Sequence, residues 1–319
     1  MHVLRLRIYQ PQAHYRVPFT YQRRHTYPIP PYSTVIGFLC NVLGIDDPKK
    51  QENLRDEPVI LYDELKKIKI SIAGSFESKT TEYVWFRNLS TASHIRRFGY
   101  AENRSVGGHV EHIGGQSPVS MDILNEVRLV IYLAHEKKAF LEHIRSSLEN
   151  PVRRLEVLHL GRAEDWIVIE EVSEVSALSN TEGKSQMQEE EKSESNFRVQ
   201  RVDANFRHFF WIPERIFTGA SESTEADPYT KAQGLLYNVP TFWTVVDYEQ
   251  TLNRHGQRVF EYIRAKLNDG LITGCRFLYD EKLGLPIFLA DFGADHKQNM
   301  GEDPSGSKPF LSDERQSHE

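Results

Sequence analysis

Residues 82–120, EYVWFRNLSTASHIRRFGYAENRSVGGHVEHIGGQSPVS, mix the two side-chain types that grip an unpaired nucleic-acid strand. Arg87, Arg96, Arg97 and Arg104 are interleaved with Tyr83, Trp85, Phe86, Phe98 and Tyr100. Guanidinium forks pair bidentately with phosphate oxygens, and aromatic rings stack on bases at about 1–3 kcal/mol each. The mixture suits single-stranded RNA with splayed bases; the alternative is a solvated hairpin whose rings pack on the body. Glycines 107, 108, 114 and 115 would let the segment bend or let a backbone approach closely. The loop YQRRHTY repeats the chemistry, with Arg23, Arg24 and His25 between Tyr21 and Tyr27. Arg5 and Arg7, alternating with apolar residues in HVLRLRIY, would extend the basic surface unless they pair with acids on a neighbouring strand.

Signatures of catalysis are sparse. The chain has no G-x-x-x-x-G-K-[ST] loop, no H-E-x-x-H and no G-x-S-x-G. His109, Glu111 and His112 offer too few ligands at a poor spacing for zinc, so no metal or other cofactor is expected. His25, His94, His109 or His112 could act as general acid or base in metal-free RNA cleavage, but sequence alone does not place any of them together. Cys40 and Cys275 are the two cysteines; they read as reduced packing residues of a cytoplasmic protein.

These residues need a scaffold, and the hydrophobic pattern supplies one. Val3 to Tyr9 alternates as a strand, with Leu4, Leu6 and Ile8 on one face. Pro30 and Pro31 keep their predecessors extended, and a helix follows with Ser33 or Thr34 as N-cap. Val35, Phe38, Leu39, Val42 and Leu43 form its buried face and Gly44 its stop. Gly37 inside this helix suggests close packing against a sheet. Strands are expected around Ile68, Ile70 and Ile72 and around Val127, Leu129, Ile131 and Leu133, then a helix over KKAFLEHIRSSLEN ended by Pro151. LEVLHLGRAEDWIVIEEV reads as two short strands about Gly161. The order is β-α-β…β-α-β, that of a ferredoxin-like split βαβ unit, interrupted by an insertion over about 75–121.

The fold class is therefore α+β. A ferredoxin-like domain is expected over 1–178 and a small, mostly β C-terminal part over 197–293, with RVFEYIRAKL as a helix within it. Residues 179–196 read as an acidic flexible linker and 294–319 as a disordered tail, both too polar to offset ordering entropy. The net charge of −6 is unevenly placed, because no Asp or Glu occurs before Asp46. No apolar run approaches the roughly 20 residues that span a bilayer, so no membrane partner is expected, and MHVLRLRIYQ has no signal-peptide core.

FTYQRRHTYPIPPYSTVIGFLCNVLG and LHLGRAED together resemble the CRISPR-associated Cas-five family, with a proline-rich lead into a helix and a leucine-glycine-arginine turn followed by an acid. The look is nearest to type I-B. The resemblance implies an RRM-like domain of the RAMP superfamily with a long thumb hairpin at the insertion. It implies a non-catalytic subunit of the type I Cascade complex that caps the 5′ handle of the guide crRNA. The backbone and large subunits would be its partners, and target DNA would be met indirectly through the complex. Handle contacts would come from Arg5, Arg7, Tyr21, Arg23, Arg24, His25, Arg87, His94, Arg96, Arg97, Phe98, Tyr100, Arg104 and Arg162. The type I-C branch cleaves the repeat with Tyr, Lys and His; here SHIRR has Arg in place of the Lys of the Lys-His pair, so no cleavage is expected. The alternatives are a metal-independent endoribonuclease, the equivalent subunit of a type III complex, or an architectural subunit using Trp211, Phe242 and Trp243.

Overall fold

The structure, a computed structural model, describes residues 1–18, 20, 23–45, 57–88, 105–106, 109–110, 115–178, 197–217, 227–246 and 257–293. It is a mixed α and β protein built on a 10-stranded sheet. The alternating N-terminus forms β1 (His2–Ala13), and the proline-led segment forms α1 (Tyr32–Leu43). After α2 (Glu57–Leu65) come β2 (Lys69–Ser75), β3 (Ser78–Asn88) and the long β4 (Gly115–His135). The helix α3 (Lys138–Glu149) and strand β5 (Val168–Val172) complete the first half. These strands lie in the order β5-β1-β4-β2, each neighbour antiparallel.

β4 is the spine. Its C-terminal half is flanked by β1 and β2, with Leu6 opposite Ile131 and Ile72 opposite the same residue. Its N-terminal half leaves the body paired with β3, from Ser78 opposite Asn125 to Asn88 opposite Gly115. The insertion expected over 75–121 is thus anchored by a two-stranded ribbon. The switch falls beside Glu126, a non-glycine residue at φ 55.

The C-terminal strands divide. β7 (Phe209–Pro213) pairs with β2 and carries the main sheet on through β9 (Gln257–Asn268) to β8 (Leu235–Val246). The expected helix RVFEYIRAKL is instead strand β9. Ile263 and Ala265 turn inward while β7 and β8 claim its two edges, and edge pairing outweighs local helix periodicity. β6 (Phe197–Asn205), β10 (Leu271–Asp280) and β11 (Leu285–Ile287) form a separate three-stranded sheet.

Two cores follow from the alternation of strand faces. Leu4, Leu6 and Ile8 pack with Val35, Leu39 and Val42 of α1 and with Leu141 and Ile144 of α3. On the other face, Val3, Ala73 and Tyr132 pack against Cys275, Phe277 and Phe288 beneath the smaller sheet. Cys40 and Cys275 are both buried in the apolar cores, as packing residues would be. Trp211 is fully buried; it donates its indole N–H to Pro30 O at 2.9 Å and meets Tyr27 edge to face. Trp211 and Phe242 are core residues, which removes them as interface candidates. Among the described residues, no helix is long and apolar enough to cross a membrane.

Candidate nucleic-acid interface

The helix α1 begins at Tyr32 with Pro31 as N-cap, not at the expected Ser33 or Thr34. Proline has no side-chain acceptor, and no acidic residue stands in the first turn. The positive end of the helix therefore has no side-chain cap and no acidic residue of its own first turn, although Glu164 lines the same cavity. Ser33 and Thr34 instead line a cavity of about 520 Å³ at the head of the helix.

Basic residues crowd this cavity. Arg16, just past β1, is exposed and its guanidinium donates to Thr20 O at 3.1 Å; Arg24 enters from the QRRHT loop. Phe260 and Tyr262 of β9 and Pro240 of β8 supply the apolar side. A second cavity of about 660 Å³ shares Ser33, Thr34 and Gly161 with the first and runs on past Gly37, Leu155, His159 and Trp243. A groove thus follows the open face of α1. Gly37 belongs to that open face, since a Cβ there would meet nothing within 4 Å; close sheet packing is not its role.

Two buried carboxylates fix the floor. Asp165 is 1% exposed and accepts N–H bonds from Arg162 at 2.8 Å and His14 at 3.0 Å. It also takes the Arg162 guanidinium side-on, at 3.0 and 2.6 Å. Gly161 makes the turn possible: its φ is +102, and a Cβ would lie 2.7 Å from Asp165 Oδ2 and 2.8 Å from His14 O. The LHLGRAED motif is therefore a clamp that ties the end of β1 to the turn. Gln10 braces it from below, donating to Leu160 O and Asp165 O at 3.0 Å and accepting from the Tyr15 hydroxyl.

Asp122 of β4 is the second. Its oxygens receive Thr81 Oγ1 at 3.0 Å and His25 Nδ1 at 3.1 Å, with Arg23 at 3.4 Å and Lys79 at 3.6 Å. Burial pushes its pKa up, but His25, Thr81, Lys79 and Arg23 together hold it below the usual carboxylate value. Its backbone carbonyl accepts from His14 Nδ1 at 2.8 Å.

The residues singled out from sequence divide into three groups. Of the QRRHT residues, Arg24 lines the cavity, while Arg23 and His25 both pair with Asp122. Arg162 is there too, but committed to Asp165 and, at 3.5 Å, to Glu164. Arg5 and Arg7 are not part of it. Arg5 is 2% exposed and bonds Asp280 at 2.7 Å and Glu171 at 2.8 Å, because the smaller sheet covers the face that strand alternation points outward. Arg7 faces Glu170 and Glu171 at 3.5 and 3.8 Å. Tyr21, His94, Arg96, Arg97, Phe98, Tyr100 and Arg104 lie outside the described residues, and the Arg87 side chain is likewise outside them. On the described stem of the insertion, Tyr83 and Trp85 project from one face of β3, 71% and 62% exposed.

His14, Arg16, Asp122 and the two hydroxyls of α1 were missed by sequence reasoning. His14 and Arg16 follow β1 two residues apart and carry no local signal; Asp122 meets His14 across more than a hundred residues. A further basic cluster, Lys67, Lys69 and Lys137, is neutralised by Glu64 and Asp291 at 2.6–3.0 Å. Among the described residues no group of His, Cys, Asp or Glu is arranged to hold a metal ion.

The chain matches the family described as CRISPR-associated protein (Cas_Cas5) over residues 3–272. No curated protein sequence matches it significantly. Among solved structures it is similar to a chain titled "CRISPR RNA-guided surveillance complex", at 12% identity and TM-score 0.44, covering 85% of this chain and 90% of that one. It is also similar to "Crystal structure of a CRISPR protein from Archaeoglobus fulgidus", at 11% identity and TM-score 0.34 over 87% and 91% of the two chains. A third, from the "Type III-B Cmr-beta bound to cognate target RNA and AMPPnP", has 12% identity and TM-score 0.35 over 85% and 86%. The match over residues 3–272 places the chain in the CRISPR-associated Cas5 family.

Proposed function

We propose that the chain is a non-catalytic RNA-binding subunit of a type I CRISPR effector complex, holding the 5′ handle of the guide RNA. The observation that carries this is the groove along α1, where an uncapped helix N-terminus, Arg16 and Arg24 meet the rings of Phe260 and Tyr262. Helix N-termini and arginines attract phosphates, while the rings offer stacking platforms for bases. The antiparallel order β5-β1-β4-β2 supports a ferredoxin-like RAMP domain over 1–178. The β3–β4 ribbon supports a thumb, with Tyr83 and Trp85 on its stem. The backbone and large subunits of the complex are the proposed protein partners, and target DNA is met through them.

The test uses purified full-length chain and a labelled RNA of one CRISPR repeat, in chelator, scored for gel shift and cleavage. A shift without cleavage, weakening as salt rises, is the expected result. Absence of any shift for the chain, alone and in the assembled complex, would refute it. The endoribonuclease reading keeps one supporting feature: Asp122 orients His25, a half-exposed imidazole, with Arg23 and Lys79 close by. Cleavage in chelator that is lost in His25→Ala would establish it over the lead reading.

A further inference from the structure

The β3–β4 ribbon has two unlike faces. Along β3, Lys79, Thr81, Tyr83 and Trp85 alternate onto one face, and all four are exposed. Tyr83 lies opposite Ser120 of β4, and Thr81 opposite Asp122. The short strand Arg23–Arg24 pairs with the other edge of β4 and sets Arg23 beside the same Ser120. Residues paired across strands share a face, so Arg23 stands in one row with Tyr83. Arg24 and Met121 fall on the opposite face, where they line the cavity at the head of α1. Glu82 belongs to that opposite face too, and its charge acts on Arg162 there.

The first face is complementary to a single nucleic-acid strand in charge and in spacing. Arg23 and Lys79 are permanent cations, 3.4 and 3.6 Å from the one carboxylate of Asp122, and His25 meets it at 3.1 Å. One carboxylate cannot neutralise both cations. It is also buried, whereas Arg23, Lys79 and His25 are each about half-exposed, so an approaching ligand meets the bases and not the acid beneath them. Glu77 precedes Lys79 at the root of the ribbon, on the side away from the rings. Tryptophan is largely buried in most proteins; here Trp85 and Tyr83 stand side by side in solvent. Alternate residues of a strand project about 7 Å apart, against about 3.4 Å between neighbouring bases stacked in a duplex. Two bases stacked on each other cannot each cover a ring, but two splayed bases can.

We infer that this face of the ribbon binds single-stranded RNA by stacking two successive unpaired bases, one on Tyr83 and one on Trp85, while Arg23 and Lys79 draw the phosphates. The inference rests on the RNA-binding reading and adds a second contact surface to it, since the groove along α1 lies on the opposite face of the strands. Stacking accepts any base, so this surface holds the strand without reading its sequence.

The test is fluorescence anisotropy with full-length protein and labelled oligouridylate, oligocytidylate and repeat RNA, across a salt series. Tyr83→Ala and Trp85→Ala are each expected to weaken binding about tenfold with the salt slope unchanged, because no phosphate contact is lost. Trp85→Phe keeps a ring and should retain most of the affinity. Arg23→Ala should instead reduce the salt slope by about one. Tyr83 and Trp85 are exposed, so their variants should keep the parental urea midpoint. Parental affinity in both alanine variants, a Trp85→Phe protein as weak as Trp85→Ala, or a parent that binds repeat RNA and neither homopolymer would overturn the platform while leaving RNA binding intact. No binding of any probe by the parent would overturn the platform and the RNA-binding reading together.

Discussion

Arg5→Met separates the arginines that hold the molecule together from those that face a ligand. Arg5 is bonded at 2.7 Å to Asp280, whose side chain is fully buried, and at 2.8 Å to Glu171. Asp280 also accepts from the Tyr132 hydroxyl at 3.0 Å and from the N–H groups of Lys282 and Leu283. The carboxylate belongs to the smaller sheet and the guanidinium to the main one, so the pair joins the two layers. Removing the cation leaves a buried charge with only neutral donors, a change that costs about 3–5 kcal/mol. Against a total stability of about 5–15 kcal/mol for a typical protein, that is a large fraction.

The assay is urea unfolding followed by tryptophan fluorescence, with RNA affinity measured on the folded fraction. Arg5→Met is expected to lower the midpoint strongly and leave the affinity unchanged, since the smaller sheet covers the side chain. Adding Asp280→Asn should recover part of the loss, because the amide oxygen still accepts the two N–H bonds and the unpaired charge is gone. Arg16→Ala is the converse control: stability within about 0.5 kcal/mol of the parent, and weaker RNA binding with a salt slope reduced by about one. An Arg5→Met protein of native midpoint that no longer binds RNA would refute the assignment of Arg5 to the core.

Other substitutions address the turn, the helix and the acid response. Gly161→Ala places a methyl group against Asp165 and the His14 carbonyl at a φ of +102, and is expected to cost about 1–3 kcal/mol in denaturant unfolding; a neutral result would mean that the clamp is not rigid. Gly37→Ala adds a methyl group that meets nothing and is expected to stabilise by about 0.5–1 kcal/mol, whereas destabilisation would show that α1 packs closely at that point. Asp122 has a lowered pKa in the folded state, so its contribution is present above the unfolded value near about 4 and is lost as pH falls through the lower folded one. Unfolding free energy measured across that acid range should fall less steeply in Asp122→Asn than in the parent.

Periodicity in the sequence was enough to place β1, α1, β2, the C-terminal half of β4 and α3, because each buries one face against the main sheet and repeats its apolar residues accordingly. It failed at β9. Val259, Phe260, Ile263 and Leu267 fall at helical spacing as well as marking a strand, and only the two flanking strands decide between them. It failed also at Arg5, where alternation assigns a side to the residue but cannot say that a second sheet, supplied by residues 197–287, will cover that side.

The same limit explains the site. Motifs were legible where the chain folds back on itself locally, as at Gly161, Arg162 and Asp165. Their meaning was not: the arginine that looked free to meet RNA is bound by the acid three residues on. In contrast, Arg16 and His14 carry no motif, and become conspicuous only once β4 delivers the Asp122 carbonyl and α1 its bare first turn. A charge in a sequence is available to a ligand only if the fold leaves it without a closer partner. The long-range pairings that settle this, Arg5 with Asp280 or His14 with Asp122, are the ones that no local pattern encodes.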